Sequence, residues 1–214
     1  EKAKALARAA QLAVTKAAAE RVGYFIVRDA LSLLVCSRHG LSEDELLEML
    51  APPGKAQLPP VVWARLYRSL ELYLRPVGDD AQGLLGFFHE QMVFAVQRRY
   101  LAANARMATA VCSRLLDYFS AKADPHTDLQ YRTSDLRYVQ DMVYYQLRAH
   151  RYADLYRTLG CIQFIQRRAS NGPGSMEHLL RDYHDTMEDL RTVRYSAMKD
   201  GMAATTAGPS SSSV

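Results

Sequence analysis

Apolar residues recur at helical spacing along most of this 214-residue chain, and one short stretch interrupts the pattern. The runs "YLRPV" and "LLGFF" flank "GDDAQG", a segment rich in glycine and aspartate. Two short apolar runs around such a segment predict a β-hairpin. The predicted fold class is therefore mainly α, with one small β-hairpin placed among helices.

Three helices are predicted before the hairpin. The first carries apolar residues at helical spacing from Val22 to Leu34 and ends before Gly40, because glycine readily adopts the left-handed conformation that stops a helix. The second begins with a capping box, in which Ser42 and Glu45 each bond a backbone amide of the other. The third begins at the prolines of "LPPVVW", where a missing N–H costs nothing.

A fourth helix is predicted to begin at His89, directly after the hairpin. Met92, Val96 and Tyr100 follow in register on one face of it. Three helices, a hairpin and a further helix within 21–101 are the element order of a winged-helix domain. The sequence therefore predicts a winged helix in this range.

The rest of the chain is predicted to be helical or flexible. Residues 102–198 carry amphipathic segments separated by "DPHTD" and "ASNGPGS", which predicts an array of α-helical hairpins. Residues 199–214 end in a run of small and polar side chains, and we predict that they form a flexible linker. Residues 1–20 resemble the tail of a preceding helical element, and the start at Glu1 suggests a fragment of a longer protein.

The motifs of common catalytic sites are missing from the sequence. It has no GxxxxGK[ST] phosphate loop and no GxSxG, and "HEQMV" lacks the second histidine of a HExxH zinc site. We therefore expect no catalytic residues, no metal site and no enzyme activity of the chain itself. We likewise expect no cofactor to be bound by this chain alone.

Charge and cysteine content favour a cytoplasmic protein that does not bind nucleic acid. The net charge is +4, with 27 Lys and Arg against 23 Asp and Glu, and the two signs are interleaved as on a solvated surface. Cys36, Cys112 and Cys161 are isolated in apolar contexts, which predicts buried thiols in a reducing compartment. We find no signal-peptide pattern and no apolar run of membrane length, so no membrane partner is expected.

Several segments taken together resemble a known family. In chain order, "VRDALSLLVCSRHGLSEDELLEML", "LPPVVWARLYRSLELYL" and "GLLGFFHEQMVFAVQRRYL" resemble the region that follows the NACHT module in STAND-class signalling NTPases. The resemblance is to NACHT proteins with WD or other repeats downstream, such as telomerase-associated protein and its relatives. "YYQLRAHRYADLYRTLGCIQFIQRR" is similar to the helical linker that these proteins place after the winged helix, and the resemblance covers Val22 to Leu190.

The resemblance implies a non-catalytic regulatory and linker module. The winged helix would hold the ADP-bound closed state of an upstream NACHT ATPase module in the same protein. The helical arm would couple it to a downstream repeat domain that acts as sensor, and other proteins are expected partners. ADP or ATP would be bound by the parent protein.

The resemblance also implies a role for His89. In STAND NTPases a histidine within a Met-His-Asp pattern, at the start of the last winged-helix helix, contacts the β-phosphate of ADP. Phe88-His89-Glu90 matches that pattern with mild changes, and an imidazole at a helix start can donate to a phosphate. The alternative is that His89 only caps its helix or packs on the hairpin.

Two other functions remain open at this level. One is a winged-helix DNA-binding module, for which the third helix would supply Arg65, Arg68 and Arg75. Against it, the same helix also holds Trp63, Tyr67 and Glu71. The predicted hairpin tip "GDDAQG" is acidic, which disfavours contact with the negatively charged DNA backbone. The other is a helical scaffold for protein interaction.

Overall fold

The computed structural model describes residues 22–77, 83–102, 105–170 and 175–206, with side chains except at 105 and 194–206. The described residues are mainly helical and contain one two-stranded antiparallel sheet. They belong to two compact units, whose boundary lies between Tyr118 and Phe119. The predicted tail over 1–20 and most of the hairpin tip lie outside the described residues. Within the described ranges, no helix is long and apolar enough to cross a membrane.

The first unit has the predicted order of helices around a hairpin. In chain order its elements are α1 (22–36), α2 (Glu43–Met49), α3 (Pro60–Leu70), β1 (Leu74–Val77), β2 (Leu84–Phe87) and α4 (Glu90–Val96). Helix α4 continues as a π-helical turn over Gln97–Leu101. Helix α5 (Ala105–Ala123) begins in this unit and crosses the unit boundary.

Helix α2 begins with the predicted capping box. The backbone N–H of Glu45 donates to Ser42 Oγ at 3.2 Å, and the backbone N–H of Ser42 donates to Glu45 Oε2 at 2.8 Å. Two amides that the first turn cannot satisfy internally are thereby bonded. Three acidic residues in that turn, Glu43, Asp44 and Glu45, also complement the helix dipole.

Replacing Ser42 by alanine should lower the free energy of unfolding by about 0.5–2 kcal/mol, because one capped amide loses its partner. Chemical denaturation followed by the fluorescence of Trp63, the single tryptophan of the chain, would measure the loss. Ser69→Ala is a matched control, since Ser69 is exposed inside α3 and caps no helix. Equal stabilities of the two variants would contradict a stabilising role for the box.

The hairpin forms where the two apolar runs predict it. Leu74 pairs with Phe87 and Val77 with Leu84 in antiparallel register. Leu41, between α1 and α2, adds an isolated bridge to Leu85: the two residues exchange backbone hydrogen bonds of 3.1 and 2.8 Å. The hairpin is therefore tied by its backbone to the connection between the first two helices.

The core of the first unit joins the helices to the hairpin. Leu31 of α1, Leu70 of α3 and Val96 of α4 are buried against one another. Leu74 and Phe87 of the hairpin pack on this cluster, as do the predicted helix residues Met92 and Tyr100. Val22, at the start of the predicted α1 stripe, is exposed instead. The hairpin is thus held in place from both sides by helices.

The second unit is helical throughout its described residues. After the end of α5 it contains α6 (Arg137–Arg148), α7 (Tyr152–Leu159), α8 (Ile162–Ala169) and α9 (Ser175–Thr206). Gly160 and Cys161 separate α7 from α8, a break inside one predicted amphipathic segment. Helix α9 extends to Thr206, within the segment predicted as a linker, where methionine and alanine sustain helical conformation. The remainder, 207–214, lies outside the described residues.

The core of the second unit is aromatic and also contains polar pairs. The rings of Phe119 and Tyr145 are fully buried, and their centroids lie 4.8 Å apart. Gln146 of α6 donates to Thr158 of α7 at 2.8 Å. Arg168 of α8 and Asp182 of α9 form an ion pair at 3.0 Å, with side chains 2% and 3% exposed. Each polar pair joins two different helices of this unit.

Candidate functional site

His89 occupies the N-cap position of α4. Its backbone is extended, with φ −110° and ψ 129°, and its carbonyl accepts the N–H of Met92 at 3.0 Å. The imidazole makes no capping hydrogen bond to the helix, and the residue is exposed. His89 therefore caps the helix through its backbone carbonyl, whereas its side chain takes no part in capping.

The ring of His89 packs edge-on against Phe88. The two centroids lie 4.4 Å apart and the ring planes are 82° to each other. Phe88 is 54% exposed and His89 is exposed as well. The contact between the two rings therefore leaves the imidazole accessible to solvent. The backbone N–H of Phe88 donates to the carbonyl of Tyr73 at 2.8 Å, just before β1. That bond fixes where the hairpin ends and where His89 begins the next helix.

Arg75 completes a row of three side chains at this end of the hairpin. Its guanidinium lies 5.6 Å from the centroid of the Phe88 ring, a cation–π arrangement. Arg75 is exposed on β1, opposite Gly86. A Cβ at Gly86 would come within 2.5 Å of Val77 Cγ2, so any larger residue there would force the Val77 side chain to move. The order Arg75, Phe88, His89 places a cation and an imidazole on the same aromatic ring.

The row brings together two groups whose chemistry suits an anion. Arg75 supplies a fixed positive charge, and His89 can donate from a ring nitrogen. Glu90, exposed in the first turn of α4, is the opposing charge. Within the described ranges, no group of three His, Cys, Asp or Glu side chains could hold a metal ion.

The structure corrects the placement of one arginine assigned to a DNA-reading helix. Helix α3 ends at Leu70, and a turn bond from Tyr73 N–H to the Leu70 carbonyl leads into β1. Arg75 is therefore a strand residue, whereas Arg65 and Arg68 are exposed on α3. Two arginines on this helix are a smaller phosphate-binding surface than the three that the sequence suggested.

A second surface lies in the second unit and escaped the sequence analysis. A groove of about 490 Å³ runs between α7 and α9 and is lined mainly by apolar side chains, among them Leu155, Tyr156, Leu159, Met187 and Leu190. The three-residue spacing of Met187 and Leu190 is the sequence signal that could have indicated an apolar face at this groove. The same helix also buries apolar residues such as Leu179, so the sequence does not show which of its apolar residues face the groove.

Of the three cysteines predicted to be buried, two are. Cys36 and Cys112 lie in the core, but Cys161 is partly exposed at the N-cap of α8. Its thiol lies 3.2 Å from Gln163 Oε1. The apolar neighbour Ile162 is itself 57% exposed, so the apolar sequence context of Cys161 did not correspond to a buried position.

Comparison with known proteins finds sequence similarity to a protein of the same name in two organisms. It matches no protein-family model and no solved structure. It is 30% identical over 204 residues to the human "NACHT domain- and WD repeat-containing protein 1", covering 75% of this chain. It is 37% identical over 105 residues to the mouse protein of the same name, covering 41% of this chain. The chain spans 13% of the human relative and 7% of the mouse relative. This homology supports the NACHT and WD-repeat family for the chain.

Proposed function

We propose that the chain is a non-catalytic regulatory and linker module of a NACHT-type STAND NTPase in the cytoplasm. The observation that carries the proposal is the homology to a protein named for its NACHT domain and WD repeats, over 75% of the chain. A NACHT module upstream and a WD-repeat domain downstream would then be its partners in the same protein.

We further propose that the first unit is a winged helix that stabilises the ADP-bound closed state. Three features of the unit support this proposal. Its order of helices around a hairpin is that of the class, and the Leu41–Leu85 bridge adds backbone pairing to the hairpin. His89 stands exposed where the hairpin meets α4. His89 would contact the β-phosphate of ADP when the unit packs on the nucleotide-binding module.

The exchange of ADP for ATP would then act as a switch. A ligand shifts a two-state equilibrium only by its differential affinity for the two states. His89 would supply that difference by contacting ADP in the closed state alone. The second unit would carry the change toward the repeat domain.

Replacing His89 by alanine in the full-length parent protein should release bound ADP. We expect purified wild type to contain near-stoichiometric ADP after denaturation and chromatography, and the variant to contain at least about fivefold less at equilibrium, since one contact to a charged group contributes about 1.5–3 kcal/mol. His178→Ala is the matched control, because His178 is an exposed histidine on α9.

The outcomes separate the parts of this proposal. Equal ADP in all three proteins would reduce His89 to a structural residue and leave the NTPase assignment intact. No nucleotide in any of them would contradict the NTPase assignment itself.

A protein-interaction scaffold is the second candidate, and the groove between α7 and α9 favours it. Tyr156 is 85% exposed at that groove, and exposed aromatic residues beside apolar grooves are typical of interfaces. A pure scaffold would bind its partners unchanged when His89 is replaced.

A further inference from the structure

The exposed apolar residues of α9 follow one another at heptad spacing. Met176, Leu180, Tyr183, Met187 and Leu190 are separated by alternating intervals of four and three residues. We call these five residues the α9 stripe. Four of them are among the exposed large hydrophobic residues, and Tyr183 is partly exposed. An average spacing of 3.5 residues is the period at which two helices keep the same faces in contact.

The stripe is separate from the face by which α9 packs in its own unit. The buried residues of the helix include Leu179, Asp182 and Thr186, which lie on a neighbouring face. Asp182 on that face bonds Arg168 of α8. Helix α9 is therefore anchored without most of the stripe, whose apolar surface remains in water at a cost in free energy.

The groove between α7 and α9 extends the apolar surface of the stripe onto α7. Met187 and Leu190 line it from α9, and Tyr156 and Leu159 line it from α7. Tyr183 donates to the Leu159 carbonyl, and Tyr152 donates to Asp189 at 2.9 Å, so both walls are linked by hydrogen bonds. A helix lying along the stripe would find this preformed groove beside it.

Charged residues along one side of the stripe indicate which kind of helix would bind there. Glu177, His184 and Arg191 succeed one another at seven-residue intervals on the same side of the stripe. An antiparallel copy of α9, with its twofold axis near Tyr183 and His184, would place Glu177 of each copy beside Arg191 of the other. The same operation brings Met176 close to Leu190 and Leu180 close to Met187, each within about one residue, or 1.5 Å, of facing its partner. Apolar residues therefore meet apolar residues across the axis.

We propose that the α9 stripe binds the α9 stripe of a second copy of this chain in antiparallel orientation. The interface is isologous, as a twofold dimer requires. In a parallel pair, Glu177 and Arg191 would be separated by about 21 Å along the helices, at 1.5 Å per residue. The flanking charges therefore favour the antiparallel arrangement.

The first test measures self-association of the 214-residue chain by analytical ultracentrifugation over a range of concentrations. We expect a monomer–dimer equilibrium, and Leu180→Glu should raise its dissociation constant at least tenfold, roughly, because a charge enters the seam twice. Ile162→Glu is the matched control: Ile162 is 57% exposed on α8, Leu180 is 61% exposed, and only Leu180 lies on the stripe.

The control and the concentration series decide this part of the proposal. An unchanged dissociation constant in Ile162→Glu, with unchanged circular dichroism in both variants, would support the stripe as the interface. A chain that stays monomeric at every concentration would overturn self-pairing and leave the stripe to a helix of another protein. A dimer that ignores Leu180→Glu would place the interface elsewhere.

The second test addresses orientation by reversing charges. Glu177→Arg and Arg191→Glu should each raise the dimer dissociation constant severalfold, and the double variant should restore it toward the wild-type value. Restoration requires that the two positions meet across the dimer. Two single effects that simply add in the double variant would overturn the antiparallel arrangement.

Discussion

Replacing Arg168 by methionine should lower the free energy of unfolding of the second unit by about 3–5 kcal/mol. The Arg168 Nε and Nη2 atoms both donate to one oxygen of Asp182, at 3.2 and 3.0 Å. Without the guanidinium, the buried Asp182 carboxylate would lose this ion pair. Urea denaturation followed by far-ultraviolet circular dichroism measures the change.

Two companion variants separate the cost of an uncompensated charge from the contribution of the pair. Arg168→Met with Asp182→Leu should recover most of the loss, because replacing a buried pair by apolar residues is often nearly neutral. Arg168 Nη1 finds no hydrogen-bond partner among the described residues, so the pair is itself incompletely compensated. Arg151→Met removes a half-exposed pair with Asp154 and should cost below about 1 kcal/mol. A loss in Arg168→Met no larger than this control would contradict the prediction.

The sequence predicted the features that depend on neighbouring residues. The capping box of Ser42 and Glu45, the two strands of the hairpin and the start of α4 at His89 all result from chemistry within a few residues. Such local signals specify where an element begins or ends. For the same reason the position of His89 at the start of a helix could be predicted from its neighbours in the sequence.

Features that depend on distant residues were missed. Nothing near Leu41 indicates that it pairs with Leu85, because α2, α3 and β1 lie between the two residues along the chain. Nothing near Arg168 in the sequence indicates that it is buried, and only the packing of α8 on α9 places it beside Asp182. The same holds at the candidate site: Arg75 joins Phe88 and His89 only because the hairpin register brings β1 beside the end of β2.

Replacing Gly40 by alanine should destabilise the first unit by about 2–5 kcal/mol, the sum of two costs. The backbone of Gly40 is left-handed, with φ +86°, which costs a non-glycine residue about 1–2 kcal/mol. A Cβ at this position would also lie 2.5 Å from the backbone oxygen of Leu85, the atom that accepts the N–H of Leu41. Moving that oxygen breaks the bridge and adds about 1–3 kcal/mol of overpacking. Denaturation followed by Trp63 fluorescence measures the loss.

Gly54→Ala isolates the first cost, that of the left-handed backbone. Gly54 has φ +78°, close to that of Gly40, but a Cβ there would meet no atom within 4 Å. The variant should therefore show only the conformational term, about 1–2 kcal/mol. The difference in the free energy of unfolding between the two glycine variants then measures the cost of displacing the Leu85 oxygen from its bond with Leu41. If both variants lose the same free energy of unfolding, the bridge adds nothing to stability, and the hairpin end before His89 is held by the core packing of Phe87 and by the bond from Phe88 to Tyr73.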